Sequence, residues 1–256
     1  MTAERERLLS VAGLSFAYQP ERLLLDNISF ELSGGQLLVL AGLSGSGKTT
    51  LAHILTGIIP ACIAGEPSGS VRVCGEDIAG KKPAQLAERI ALVFQDSDAQ
   101  LIAATVEGEL AFGLENLCVA PAEIRERVDR QLAGLGFTGL AERHPDSLSG
   151  GQKKLLALGA VLILEPRVII FDEPFAHLDE QGRELVKRAL MALREQGRGL
   201  LLIEHDLSLV DYADSWLILH EGRIVAEDSP AALLEQRERL RAWQLWYDED
   251  DGGELR

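Results

Sequence analysis

The sequence has 256 residues, 46% hydrophobic and 25% charged, which is ample for a full core and excludes a disordered chain. Forty acidic residues stand against 25 basic ones, a net charge of −15, so a nucleic-acid partner or a direct anionic lipid surface is not expected. Cys62, Cys74 and Cys118 lack metal-ligand spacing and read as reduced thiols. No apolar run approaches the roughly 20 residues that span a bilayer. The charged start lacks the apolar core of a signal peptide, so the chain is expected in the cytoplasm, touching a membrane through a protein partner.

In chain order, Leu8–Tyr18 and Ile28–Leu32 predict an antiparallel β edge. Continuous apolar runs at Leu37–Ala41, Ile90–Phe94, Val168–Phe171 and Leu200–Ile203 predict buried strands of a parallel sheet covered on both faces. Ile124, Val128, Leu132 and Leu135 recur at helical spacing, as do Leu185, Ala189, Leu190 and Leu193, with Gly197 placed to end the second helix. Residues 97–159 carry helical patterning without a strand and predict a helical subdomain inserted into an α/β core of about 1–96 and 160–228. Trp216–Leu219 and Arg223–Ala226 predict a hairpin. A last helix from Pro230, with Leu233, Leu240 and Trp243 on its pattern, and a disordered acidic tail, Asp248–Arg256, occupy about 229–256 and complete a single domain of residues 1–256.

Residues 42–49 read GLSGSGKT, directly after an apolar strand and before a helical pattern. In such a phosphate loop Gly42, Ser44, Gly45, Ser46 and Gly47 let backbone amides converge on one anion, and the helix through Thr50 adds its positive end. Lys48 can reach the β- and γ-phosphates and the Thr49 hydroxyl can ligate Mg²⁺. The loop alone leaves the NTPase class open. Residues 168–173, VIIFDE, are a buried strand ending in two carboxylates. The strand end brings Asp172 to the same crevice as a metal ligand, and Glu173 to the water that attacks the γ-phosphate.

Residues 148–152 read LSGGQ and open a helix, with Ser149 as N-cap and Gly150 and Gly151 leaving amides open to an anion. A second anion site at a helix start suggests two subunits sharing each nucleotide. These motifs together resemble the ABC-type ATPases, over about Leu8 to Glu227. The resemblance implies a P-loop NTPase, RecA-like core that binds ATP and Mg²⁺. It also implies that Tyr18 stacks on adenine, Gln95 is the Q-loop glutamine serving both reaction and metal, and His205 is the switch histidine at the γ-phosphate. Ser149, Gly150, Gly151, Gln152 and Asp179 match the signature and D-loop positions that meet a partner's ATP. Glu173, His205, Gln95 and Lys48 are the implied catalytic set.

The family implies a head-to-tail ATPase dimer, homo- or heteromeric, at the cytoplasmic face of the cell membrane, coupled near Gln95 to a transmembrane subunit. The stretch from Gln95 to Leu101, with residues 105–116 (TVEGELAFGLEN), is similar to ATPases of energy-coupling factor importers, which take up vitamins or transition-metal ions and use a substrate-capture subunit. Residues 58–60 and 65–69 are similar to the vitamin-type members. Three positions depart from the family's usual residues: Ser97 for Pro, Leu155 for Arg, and Glu204 for a small or hydroxyl residue. A soluble, non-transport ABC ATPase is the alternative. Trp243, Trp246 and Tyr247 read either as a partner contact or as a final helix packed back on the domain.

Overall fold

A computed structural model describes residues 5–19 and 22–246. β1 (Arg7–Phe16) and β2 (Leu25–Ser33) pair antiparallel, and β3 (Leu37–Ala41) departs into a second sheet. After α1 (Lys48–Leu55) and the short α2 (Ile58–Ala61), β4 (Ser68–Val73) and β5 (Glu76–Asp77) return to complete a four-stranded antiparallel sheet, β2-β1-β4-β5. α3 (Pro83–Leu86) leads to β6 (Ile90–Val93), and then the chain is helical through α4 (Ser97–Gln100), α5 (Val106–Asn116), α6 (Pro121–Leu135) and α7 (Gly150–Leu162). β7 (Val168–Asp172), α8 (Glu180–Glu195), β8 (Gly199–Glu204), β9 (Ser215–His220) and β10 (Arg223–Asp228) follow, and α9 (Pro230–Leu234) and α10 (Arg237–Ala242) close the described chain.

The second sheet has six strands in the order β10-β9-β3-β8-β7-β6, all parallel except the hairpin strand β10. Its central strands are buried at every position because both faces are covered. Leu38 and Leu40 of β3 point into a core shared with α1 and the antiparallel sheet. Leu37, Val39 and Ala41 point the other way, toward α8 and the C-terminal helices. A third core, built on Val106, Leu110, Leu132 and Leu156, belongs to α5, α6 and α7. Leu155 joins it, so the leucine at a position where the family often carries arginine is absorbed by packing.

One expectation gains detail and two are revised. The antiparallel part is a sheet of its own, in which β4 alternates exposed and buried positions and so lacks an apolar run. On α8 the core-facing set is Val186, Leu190 and Leu193, whereas Leu185 is 36% exposed. The single final helix is two, because Gln236 leaves helical backbone at φ −96°, ψ 45°. Tyr247 and the acidic tail lie outside the described residues. No helix among the described residues is long and apolar enough to cross a membrane.

Candidate functional site

Neighbouring strands end together. Ala41 of β3 pairs with Glu204 of β8, Asp172 of β7 with Ile203, and Val93 of β6 with Phe171. The residues that follow β3, β6, β7 and β8 therefore meet at one carboxyl edge, where open parallel sheets bind ligands.

The phosphate loop curls between β3 and α1. Gly42 is required there, since a Cβ would lie 2.4 Å from the Leu219 carbonyl oxygen on β9. Gly47 starts α1 with φ 104°, a left-handed conformation that glycine adopts at low cost. Gly45 is also left-handed, Ser44 is exposed, and the Ser46 hydroxyl is buried with no partner among the described residues. The buried Lys48 ammonium donates to the Gly42 carbonyl at 2.6 Å and to that of Leu43 at 2.9 Å. Burial lowers its pKa, while the charges of Glu173, Asp172 and Glu204 oppose that.

Thr49 Oγ1 donates to Asp172 Oδ2 at 2.8 Å. Burial raises the Asp172 pKa against the pull of that hydrogen bond. Hydroxyl and carboxylate oxygens side by side are hard donors of the kind Mg²⁺ accepts. Among the described residues no three His, Cys, Asp or Glu side chains form a metal cage. The residues fit a magnesium nucleotide: an inward hydroxyl with no partner among the described residues, a buried cation and a hard oxygen pair.

Glu173 stands one residue beyond Asp172 with φ 47°, its amide donating to the Ile203 carbonyl at 3.0 Å. Two side chains converge on its carboxylate. Gln95 Nε2 donates to Oε2 at 2.6 Å, and His205 Nδ1 lies 3.4 Å from Oε1. Lys48, Thr49, Asp172, Glu173, Gln95 and His205 thus form one contiguous site from four strand ends.

The other predicted residues lie around it. Tyr18 is 52% exposed, edge-on to Phe16 and with its hydroxyl 3.2 Å from Thr50 Oγ1. Ser149 and Gln152 engage each other in a capping box at the start of α7 (3.3 and 2.9 Å). Gly150 lines a cleft of about 630 Å³ with Gln95 and His177, and Gly151 faces Gly182 of α8. Asp179 caps α8, accepting from the Gly182 amide at 2.8 Å.

Two contributors were not legible as site residues. Lys154 reaches from α7 to the carbonyls of Gln95 and Glu173, each at 3.3 Å. Its signal in the sequence is a lysine five residues after Ser149 on a helix whose other side is apolar. Glu204 is 2% exposed beside Glu173 and His205, where burial first, then the Glu173 charge, pushes its pKa up to about 7.

Comparison with known proteins identifies the family. Residues 25–176 match the ABC transporter family. The chain is 38% identical to the cobalt import ATP-binding protein CbiO of Syntrophus aciditrophicus over 91% of its length and 82% of that protein. It is 36% identical to the energy-coupling factor transporter ATP-binding protein EcfA1 of Levilactobacillus brevis over 92% of its length and 83% of that protein. Its fold superposes on CbiO1 of Clostridium perfringens, part of the ABC transporter complex CbiONQ, with a TM-score of 0.80, 32% identity and coverage of 94% and 95%.

Proposed function

The chain belongs to the ABC transporter family, and from that premise we propose that it is the ATP-hydrolysing motor of an energy-coupling factor type importer. The observation that carries the reading is the convergence of Gln95 and His205 on Glu173, directly beside the Thr49–Asp172 pair.

In this site the phosphate-loop amides and Lys48 hold the β- and γ-phosphates, and Tyr18 offers its exposed ring to adenine. Thr49, Asp172 and Gln95 would hold Mg²⁺, which when bound offsets charge on the phosphates. Glu173 takes a proton from the attacking water as its oxygen bonds to the γ-phosphorus, and the bond to the β-phosphate oxygen breaks. Gln95 fixes the carboxylate through its 2.6 Å hydrogen bond, and His205 stands at the carboxylate's other oxygen to meet the γ-phosphate. Ser149, Gly150 and Gly151, at the open start of α7, face the ATP of a second ATPase subunit, whose equivalent residues close over this one. The Asp179 loop lies along the same dimer seam.

A transmembrane coupling subunit docks near Gln95 and keeps the chain at the cytoplasmic face of the membrane. The name of one relative, a cobalt import ATP-binding protein, favours a transition-metal ion as cargo, and the resemblance at residues 58–60 and 65–69 keeps a vitamin as the other candidate, held by a separate capture subunit. The reading is tested by isolating tagged Glu173→Gln protein from gently solubilised membranes in ATP and identifying what accompanies it. A multi-spanning membrane protein with a small capture subunit is expected. Soluble companions alone, or none, would contradict the transporter role.

A further inference from the structure

Glu173 and Gln95 come from different elements, so their 2.6 Å side-chain bond depends on how two backbone segments are held. Glu173 is in the left-handed region at φ 47°, which a side-chain-bearing residue adopts at a cost. Something must hold it there. Its amide is tied to β8 through the Ile203 carbonyl at 3.0 Å. Its carbonyl is tied to α7, accepting from Lys154 Nζ at 3.3 Å. The same ammonium donates to the Gln95 carbonyl at 3.3 Å. One cation therefore clasps both backbones behind the catalytic pair.

Lys154 suits that task. It stands on the helix that opens at Ser149, and five residues at about 1.5 Å per residue put it one and a half turns from that end. The opposite side of the helix is fixed by Leu155 and Leu156 in the core of α5, α6 and α7. Partial burial lowers the ammonium's pKa, and the charges of Glu204, Glu173 and Asp96 oppose that shift. The side chain thus spans the junction between helical lobe and sheet.

We infer that Lys154 is a positioning residue: from α7 it fixes the backbones of Gln95 and Glu173, so the carboxylate is aligned for hydrolysis while α7 is docked on the sheet. A motion of α7, such as its N-terminus would make on meeting the partner's ATP, is passed to this subunit's own Glu173 through Lys154. The inference rests on the catalytic role proposed above for Glu173.

The test compares wild type, Lys154→Met and Lys154→Arg in steady-state ATP hydrolysis, ATP binding and amide hydrogen exchange, with thermal melting as the check on folding. Lys154→Met should lose up to about 100-fold in kcat, the scale of a small misplacement, with KM and ATP affinity kept. Exchange should quicken around Gln95 and Glu173. Lys154→Arg, whose guanidinium can reach the same two carbonyls, should regain most of the turnover. Unchanged kcat in Lys154→Met, or unchanged exchange at both segments, overturns the inference. Should that variant melt early, Lys154→Gln takes its place against the same criteria. A wild type that does not hydrolyse ATP defeats the proposed function instead, and the exchange measurement still decides on Lys154.

Discussion

Among the single residues of the site, Glu204 carries the most unusual chemistry. Its Oε2 accepts the His205 amide at 3.3 Å, and the Phe175 backbone amide also bears on the buried carboxyl. With a pKa pushed up to about 7 from 4.5, the native acid keeps its proton where the unfolded chain has released it. Between those values the native state binds more protons, so the group's contribution is fully present below pH 4.5 and is lost as pH rises through 7. Glu204→Gln cannot ionise and escapes that loss. Its stability advantage over wild type in urea unfolding should grow by about 2 kcal/mol between pH 5.5 and 8.5; a difference independent of pH would contradict the assignment. Glu204 and Lys154 mark the limit of what sequence discloses at this scale. Lys48, Thr49 and Asp172 were readable because each motif places its chemistry within a few residues of a strand end. Lys154 was not, since its partners are main-chain oxygens 59 and 19 positions away, and carbonyls carry no sequence signal.

Elements are a matter of covering. Strands buried on both faces have to be apolar throughout, which is why β3, β6, β7 and β8 were legible as runs. β4, reading SGSVRV, buries alternate side chains near the margin of the smaller sheet, and its serines, glycine and arginine hide it. The helix face on α8 was misassigned by one residue at Leu185, because leucines outweigh the valine that faces the core. Close approach between elements also left a readable mark in Gly42. Any side chain there meets the Leu219 carbonyl of β9, a main-chain atom that cannot rotate away. Gly42→Ala should cost about 1–3 kcal/mol as overpacking and weaken ATP binding by displacing the loop. Wild-type stability in denaturant together with wild-type ATP affinity would show that the β3–β9 approach is less constrained than described.

At the scale of the molecule, two sheets and a helical lobe bring their functional ends to one place. The smaller sheet presents Tyr18 beside α1, the larger sheet supplies Lys48, Asp172, Glu173 and His205, and the lobe adds Lys154 and the opening of α7. At the C-terminal end, Trp243 and Trp246 pack toward the core under α9 and α10, with Arg239 and Arg237 over their rings at 4.9 and 5.0 Å. That geometry favours the packed-back reading of those aromatics. Sequence alone supplied the class of fold and the candidate residues that the structure brings together, while the joint between lobe and sheet needed three dimensions. Glu173, aligned by Gln95, His205 and Lys154, is proposed to activate the water that cleaves ATP. The most direct test measures ATP turnover and ATP affinity of purified Glu173→Gln beside wild type. The expected result is turnover reduced by about 10²–10⁴-fold, the usual weight of a general base, with ATP affinity intact. Undiminished hydrolysis in that variant would contradict the claim.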